Sequence, residues 1–284
     1  MRSAFLGLLL TPALALAEDS PTFKLARSYA ERGADPKAIP LLEKVVKDEP
    51  KNAEAHVLLG MAYARQDRRP DAEAEVKLAL AADPKRYDAY LVLGMLRDLA
   101  NDPAGAVAVY QQAMAVDPAR PEAYREAGSS ELLTGQPAQA AEHLLHAHQL
   151  LPRDLDIALD LGQAQVQAKQ CERAEKLVGS LLGQGLKSAP VYVLQGDALA
   201  CQGKDEPDAA AYTTATTIDP QSGQAWFHLG LLQAKRNQLD AAKAALGQAG
   251  ALSPKDPEVQ AALQKYGVAA PTARKPIGPV KPAP

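Results

Sequence analysis

The chain has 284 residues, 47% hydrophobic and 23% charged, with aromatics at 5% and a net charge of −3. Setting aside Arg2 and the tail cations Arg274, Lys275 and Lys281 leaves 27 basic residues against 34 acidic ones, a body balance of −7. A mildly acidic, aromatic-poor body has neither the electrostatic footprint nor the stacking platforms of a nucleic-acid binder.

Residues 1–17 stand apart from the rest of the chain. Arg2 gives a basic start, Ala4 to Leu16 is nearly all apolar, and Ala15-Leu16-Ala17 precedes the acidic pair Glu18-Asp19. That pattern predicts a secretory signal peptide cleaved after Ala17, too short to span a bilayer comfortably and interrupted by Pro12. The residue immediately after Ala17 is Glu18 and not Cys, which argues against a lipoprotein anchor, and no later stretch is apolar enough to cross a membrane. The expectation is a periplasmic or otherwise secreted protein, without a transmembrane segment once the signal is removed.

From residue 18 to 266 the chain repeats. Gly60, Gly94, Gly128, Gly162, Gly196 and Gly230 stand 34 residues apart, and Ala26 holds the place one period earlier. Twelve residues on come Ala38, Ala72, Ala106, Ala140, Ala174 and Ala242, with Asp208 breaking the run. Twenty-four residues on come Pro50, Pro84, Pro118, Pro152, Pro220 and Pro254, with Leu186 the exception. A period of this length held without insertion means stacked helix pairs. Glycine inside a helix costs about 0.5–1 kcal/mol relative to alanine, so its recurrence implies close helix approach. Proline cannot donate the next helical hydrogen bond and so ends each unit.

The units are 19–52, 53–86, 87–120, 121–154, 155–188, 189–222 and 223–256. Second helices are expected near Asp71, Pro103, Pro137, Glu172, Pro207 and Asp240. Between the fifth and sixth units Gly183-Gln184-Gly185-Leu186 replaces the usual proline boundary, and a looser junction is expected there. Residues 257–266 read as a capping helix with Val259, Leu263 and Tyr266 on one face, since a stack needs its last apolar surface covered. Residues 267–284, with Pro271, Pro276, Pro279, Pro282 and Pro284, read as a disordered or polyproline tail.

With Leu59-Gly60, Tyr63, Ala72, Val76, Ala79 and Pro84, or Trp226, Leu229-Gly230, Ala242, Leu246, Ala249 and Pro254, the chain resembles the tetratricopeptide repeat family over about residues 19–256. The resemblance implies an all-α solenoid of seven helix–turn–helix repeats forming a right-handed superhelix with a C-terminal capping helix, in one elongated domain. It also implies a non-catalytic scaffold that binds a protein or peptide partner. By the same resemblance, such exported scaffolds serve envelope assembly in pili, secretion, outer-membrane protein insertion or polysaccharide export. The alternative is a regulatory, non-catalytic subunit of an envelope enzyme.

In stacks of this kind the first helices line a concave groove, and two columns fall on it. One is Phe23, Val57, Leu91, Arg125, Leu159, Val193 and Phe227; the other is Arg27, Met61, Met95, Ser129, Gln163, Asp197 and Leu231. An apolar ladder with polar rungs suits an extended or helical peptide, although the same columns would also serve to pack first helix on first helix. The family's carboxylate clamp is not carried over, because Asn52, Asn101 and Asn237 fall in neither column.

No G-x-S-x-G, H-E-x-x-H, P-loop or dinucleotide turn occurs, so no enzyme and no cofactor is expected. Glu142, His143 and His146 share a helix face, with His148 near, and read as solvated outer surface with no metal. Cys171 and Cys201 fall on the same turn-proximal edge of neighbouring units and are candidates for a disulfide, two buried thiols being the other reading.

Overall fold

The computed structural model describes residues 19–203 and 205–268, and the regular structure among them is α-helical throughout. The leader at 1–17 lies outside the described residues, as does the tail beyond Val268. The chain divides into two compact units between Asp117 and Pro118. The junction carries Pro118 and Pro121, and Pro121 holds the N-cap position of a 12-residue first helix without offering a side-chain cap.

The first unit holds three pairs: α1 (Pro21–Glu31) with α2 (Asp35–Asp48), α3 (Ala53–Arg65) with α4 (Arg69–Ala82), and α5 (Tyr87–Leu99) with α6 (Pro103–Val116). The second holds α7 (Glu122–Leu133) with α8 (Pro137–Leu150) and α9 (Leu155–Gln167) with α10 (Cys171–Gly183). It continues with α11 (Ala189–Cys201) and α12 (Asp205–Ile218), then α13 (Gly223–Lys235) and α14 (Leu239–Leu252), and ends on α15 (Pro257–Lys265). The second helices start within two residues of the positions read from the sequence.

Local chemistry explains the punctuation. Ser20, Asn52, Asp102, Asp154, Ser222 and Asp256 each accept a hydrogen bond from a first-turn amide of the adjoining helix. Such caps satisfy donors that the helix itself cannot. Within every pair, one turn residue takes a positive φ at the same register: Gly33, Asp67, Asn101, Gly135, Lys169, Gly203 and Asn237. Only Lys169 is neither Gly, Asn nor Asp, so its side chain works against the left-handed backbone most.

A second recurring device lies one register further on. The side chains of His56, Tyr90, Trp226 and Gln260 each face the carbonyl of the proline six residues earlier, at 3.0–3.1 Å from Pro50, Pro84, Pro220 and Pro254. Four unlike side chains thus satisfy one acceptor that the proline boundary leaves open.

The glycine column sits where helices touch. A Cβ on Gly60 would come 2.8 Å from Val76, on Gly128 2.6 Å from Leu144, and on Gly230 2.8 Å from Leu246. In each case the neighbour belongs to the second helix of the same pair. At Gly94 and Gly196 the neighbour is the ring of Tyr110 or Tyr212, and at Gly162 it is Leu194 of the next first helix.

The expected loose junction after α10 is filled. Leu186, standing where other units have proline, packs with Val178, Leu181, Val191 and Leu194. The helix merely ends early, at 13 residues against 14 for α8 and α12, before Gly185 turns the chain at φ +83°. At the C-terminus Val259 and Leu263 of α15 are buried against Leu246 and Ala249 of α14. Each such burial contributes up to about 1.5–3 kcal/mol relative to exposure.

Buried polar groups cross-link the helices of the first unit. Arg65 grips Asp35 with Nη2 2.6 Å from Oδ1 and Nε 2.9 Å from Oδ2, joining α3 to the start of α2. His56 is 3% exposed, with Nδ1 2.6 Å from Glu75 Oε2 and Nε2 3.1 Å from the Pro50 carbonyl. Both neighbours are acceptors, so both bonds are made together only by the imidazolium. The Glu75 carboxylate accordingly holds the His56 pKa above its ordinary value of 6.5, against the opposing effect of burial.

A raised folded-state pKa contributes stability that is fully present below the ordinary value and is lost as pH rises through the folded one. His56→Gln keeps a donor for Pro50, as Gln260 does for Pro254, and removes the titration. The stability gap between wild type and His56→Gln, measured by denaturant unfolding from about pH 5 to 9, is expected to shrink as pH rises. A gap that is flat or grows with pH would contradict this.

Candidate functional site

The two inner columns divide by burial. Phe23, Val57 and Val193 are 1–3% exposed and belong to the cores, because neighbouring first helices close over them. For Phe23 and Val57 the packing role read as the alternative is the one observed, while Val193 both packs in the core and borders a cleft. Phe227 is partly buried against the α14–α15 cluster. Arg27 lies over the Phe23 ring at 4.5 Å and pairs with Asp19 at 2.9 Å and Glu54 at 2.6 Å. Met61 packs on the first core, while Leu91 is half-buried and Met95 more open on α5. On the second unit Leu231 is as open as Met95, each at 36%.

Four of the column residues come together. Leu159 and Gln163 of α9 and Val193 and Asp197 of α11 line one open cleft of about 230 Å³ on the first helices of the second unit. Pro190 and Leu194 complete its apolar wall, and Asp160 and Gln224 its polar rim. These four additions went unread in the sequence. Asp160 and Leu194 each come directly after a column residue, and Pro190 and Gln224 hold the second place of their repeats, so the 34-residue register carried the signal.

Charge is organised around the cleft. Asp160 Oδ2 pairs with Arg125 Nε of α7 at 3.1 Å, and Ser129 turns its hydroxyl back to the Arg125 carbonyl at 3.1 Å. Asp197 is 8% exposed, and the Tyr212 hydroxyl of α12 donates to its Oδ1 at 2.6 Å. His228 Nδ1 of α13 approaches the same oxygen at 2.7 Å. One carboxylate therefore ties three successive helices beside the cleft. A side chain read as a polar rung of the groove is at the same time a largely buried hub.

Cys171, at the start of α10, and Cys201, at the end of α11, are joined by a disulfide with Cα atoms 5.6 Å apart. It fastens the fifth repeat to the sixth on the turn edge.

The histidines of α8 are taken up in packing. His143 Nδ1 lies 2.9 Å from Glu131, His146 stacks on Tyr124 with centroids 4.2 Å apart, and burial holds the His148 pKa below its ordinary value. Among the described residues no group of three or more His, Cys, Asp or Glu is placed to hold a metal ion, and no helix is long and apolar enough to cross a membrane.

Comparison with known proteins bears on the fold. Two tetratricopeptide repeat family models match, one over residues 30–96, 131–196 and 209–266, the other over 91–154. No curated protein matches the chain. Among solved structures, a tetratricopeptide repeat protein from Parabacteroides merdae is similar at 14% identity and TM-score 0.66, covering 87% of this chain and 97% of that one. The C-terminal part of a repeat-containing protein from Cytophaga hutchinsonii is similar at 16% identity and TM-score 0.64, covering 85% and 99%. A chain of the APC/C hetero-tetramer Cut9–Hcn1 is similar at 16% identity and TM-score 0.59, over 85% of this chain. The present chain spans 48% of that one, about half its length. At these identities the likeness is one of fold. Matched family models over more than half of its length, on paired helices with the glycine and proline columns at their contacts and ends, show that the chain belongs to the tetratricopeptide repeat family.

Proposed function

We propose that this protein is a non-catalytic scaffold of the bacterial envelope that holds a segment of a protein partner in the cleft of α9, α11 and α13. The observation that carries the reading is the cleft itself, where half-buried Leu159 remains open beside half-buried Gln163 while the register-mates of Leu159, Phe23 and Val57, are sealed in the core. An apolar wall with a few convergent polar groups is the composition of a recognition site. Met95 and Leu231, both partly open on first helices, extend the apolar surface available within their own units.

Two features support an exported location. The leader pattern at residues 1–17 is that of a secretory signal, and a disulfide between Cys171 and Cys201 is suited to an oxidising compartment. Assembly of an envelope complex is the role that fits an exported interaction scaffold.

A photo-crosslinking residue placed at Gln163 or Gln224 in cells is expected to trap one protein partner that is not trapped from Lys176, exposed on α10. Leu159→Glu should remove the crosslink, because a charge in an apolar wall has no partner there. Equal trapping from Lys176, or a crosslink indifferent to Leu159→Glu, would move the site elsewhere.

A further inference from the structure

We infer that the α9–α11–α13 cleft is selective for a cationic side chain, an arginine or lysine carried by the bound segment. The inference rests on the reading of this cleft as the partner site and adds to it the chemistry of what enters. The apolar wall of Leu159, Pro190, Val193 and Leu194 matches the aliphatic stem that lysine and arginine bury while their charged ends stay polar. The polar lining consists of two carboxylates and two amides, with no cation among the lining residues.

Asp197 supplies the decisive feature. The residue is 8% exposed, and both of its protein partners, Tyr212 and His228, fall on Oδ1. Among the described residues Oδ2 takes no hydrogen bond. A carboxylate oxygen with spare acceptor capacity, on the wall of an open cleft, is matched by an N–H donor that brings its own positive charge. Charge-assisted hydrogen bonds of this kind are about twice as strong as neutral ones. Asp160 adds a second carboxylate at the same opening, and its pairing with Arg125 leaves the charge of Asp197 uncancelled from that side. An acidic side chain would face both carboxylates, and a purely apolar one would leave Oδ2 without a donor.

The test uses a set of fluorescent heptapeptides, acetyl-Ala-Leu-Ala-Xaa-Ala-Leu-Ala-amide, titrated with the full mature chain. Xaa is Arg, Lys, citrulline, Leu or Glu. Citrulline has the shape of arginine without its charge. The Arg and Lys peptides are expected to bind about tenfold or more tightly than the citrulline and Leu peptides, and the Glu peptide most weakly. Asp197→Asn should bring Arg and citrulline to the same affinity, and because the readout is their ratio, a loss of stability in the variant does not mimic the result.

Equal binding of Arg and citrulline by the wild-type chain overturns the inference, as does a preference that survives Asp197→Asn. Gln163→Trp, a neutral plug in the cleft, separates the two readings. Loss of all peptides with Gln163→Trp, without any charge preference in the wild type, leaves the cleft as the partner site and removes only the cation. Binding unchanged by Gln163→Trp, or no binding by any peptide, removes both.

Discussion

Tyr110→Ala is expected to destabilise the first unit by about 3–5 kcal/mol, the range for removing a large aromatic from a packed interior. Tyr110 is 1% exposed and stands foremost among the large, fully buried side chains. Its ring fills the space that Gly94 leaves open between α5 and α6, and its hydroxyl donates to Asp98 Oδ2 at 3.0 Å. Tyr110→Phe keeps the ring and should cost only about 0.5–1.5 kcal/mol, the worth of one hydrogen bond. Gly94→Ala should also destabilise, because overpacking costs about 1–3 kcal/mol while the gain in helix propensity returns about 1 kcal/mol.

The pair carries the sharper test. In the double variant the new methyl enters the cavity that the lost ring vacated, so the two costs should sum to more than the measured total. Amide hydrogen exchange in α5 and α6 reads the first unit directly, where a whole-chain melt would not. Strict additivity would mean that Gly94 and Tyr110 are not the contact that sets the helix spacing.

Opening the Cys171–Cys201 bond is expected to cost the second unit about 2–4 kcal/mol, since it releases a loop with a sequence separation of 30 residues in the unfolded chain. Trp226, the sole tryptophan, lies on α13 of the same unit and reports its unfolding by fluorescence. Cys171→Ser with Cys201→Ser should lower the denaturant midpoint as much as reductant does, and reductant should do nothing further to the double variant. An unchanged transition on reduction would sink the expectation. The same bond tests the proposed compartment. Thiol labelling of the unfolded, unreduced protein should find no free thiol in exported protein and two in protein made without residues 1–17 in a reducing cytosol.

Much of the fold was legible because a repeat multiplies weak signals. One glycine in a helix says little, whereas six at a fixed interval say that something large lies opposite each of them. The proline column located every second-helix end except that of α10, and there Leu186 replaced a backbone stop with an apolar contact. The turn column at Gly33, Asp67, Asn101, Gly135, Lys169, Gly203 and Asn237 was hidden because its residue types differ. A positive φ is a property of the backbone, which glycine, asparagine and, at Lys169, even lysine can supply.

The site was legible only in part. Leu159, Gln163, Val193 and Asp197 were placed on the inner face by register alone. Register does not say how closely two neighbouring first helices approach, and that distance decides whether a residue of one column is sealed, like Val57, or half-open, like Leu159. Nor could it show that Asp197 meets Tyr212, 15 residues away, and His228 on the next first helix.

Periodicity by itself determined the helix pairs, their order and their ends, because each repeat is folded by contacts within about one period of sequence. Tertiary structure alone decided where the chain divides, which inner-face side chains stay open, and which carboxylate oxygen is left without a donor. Those depend on the distances between helices, which no single residue type encodes.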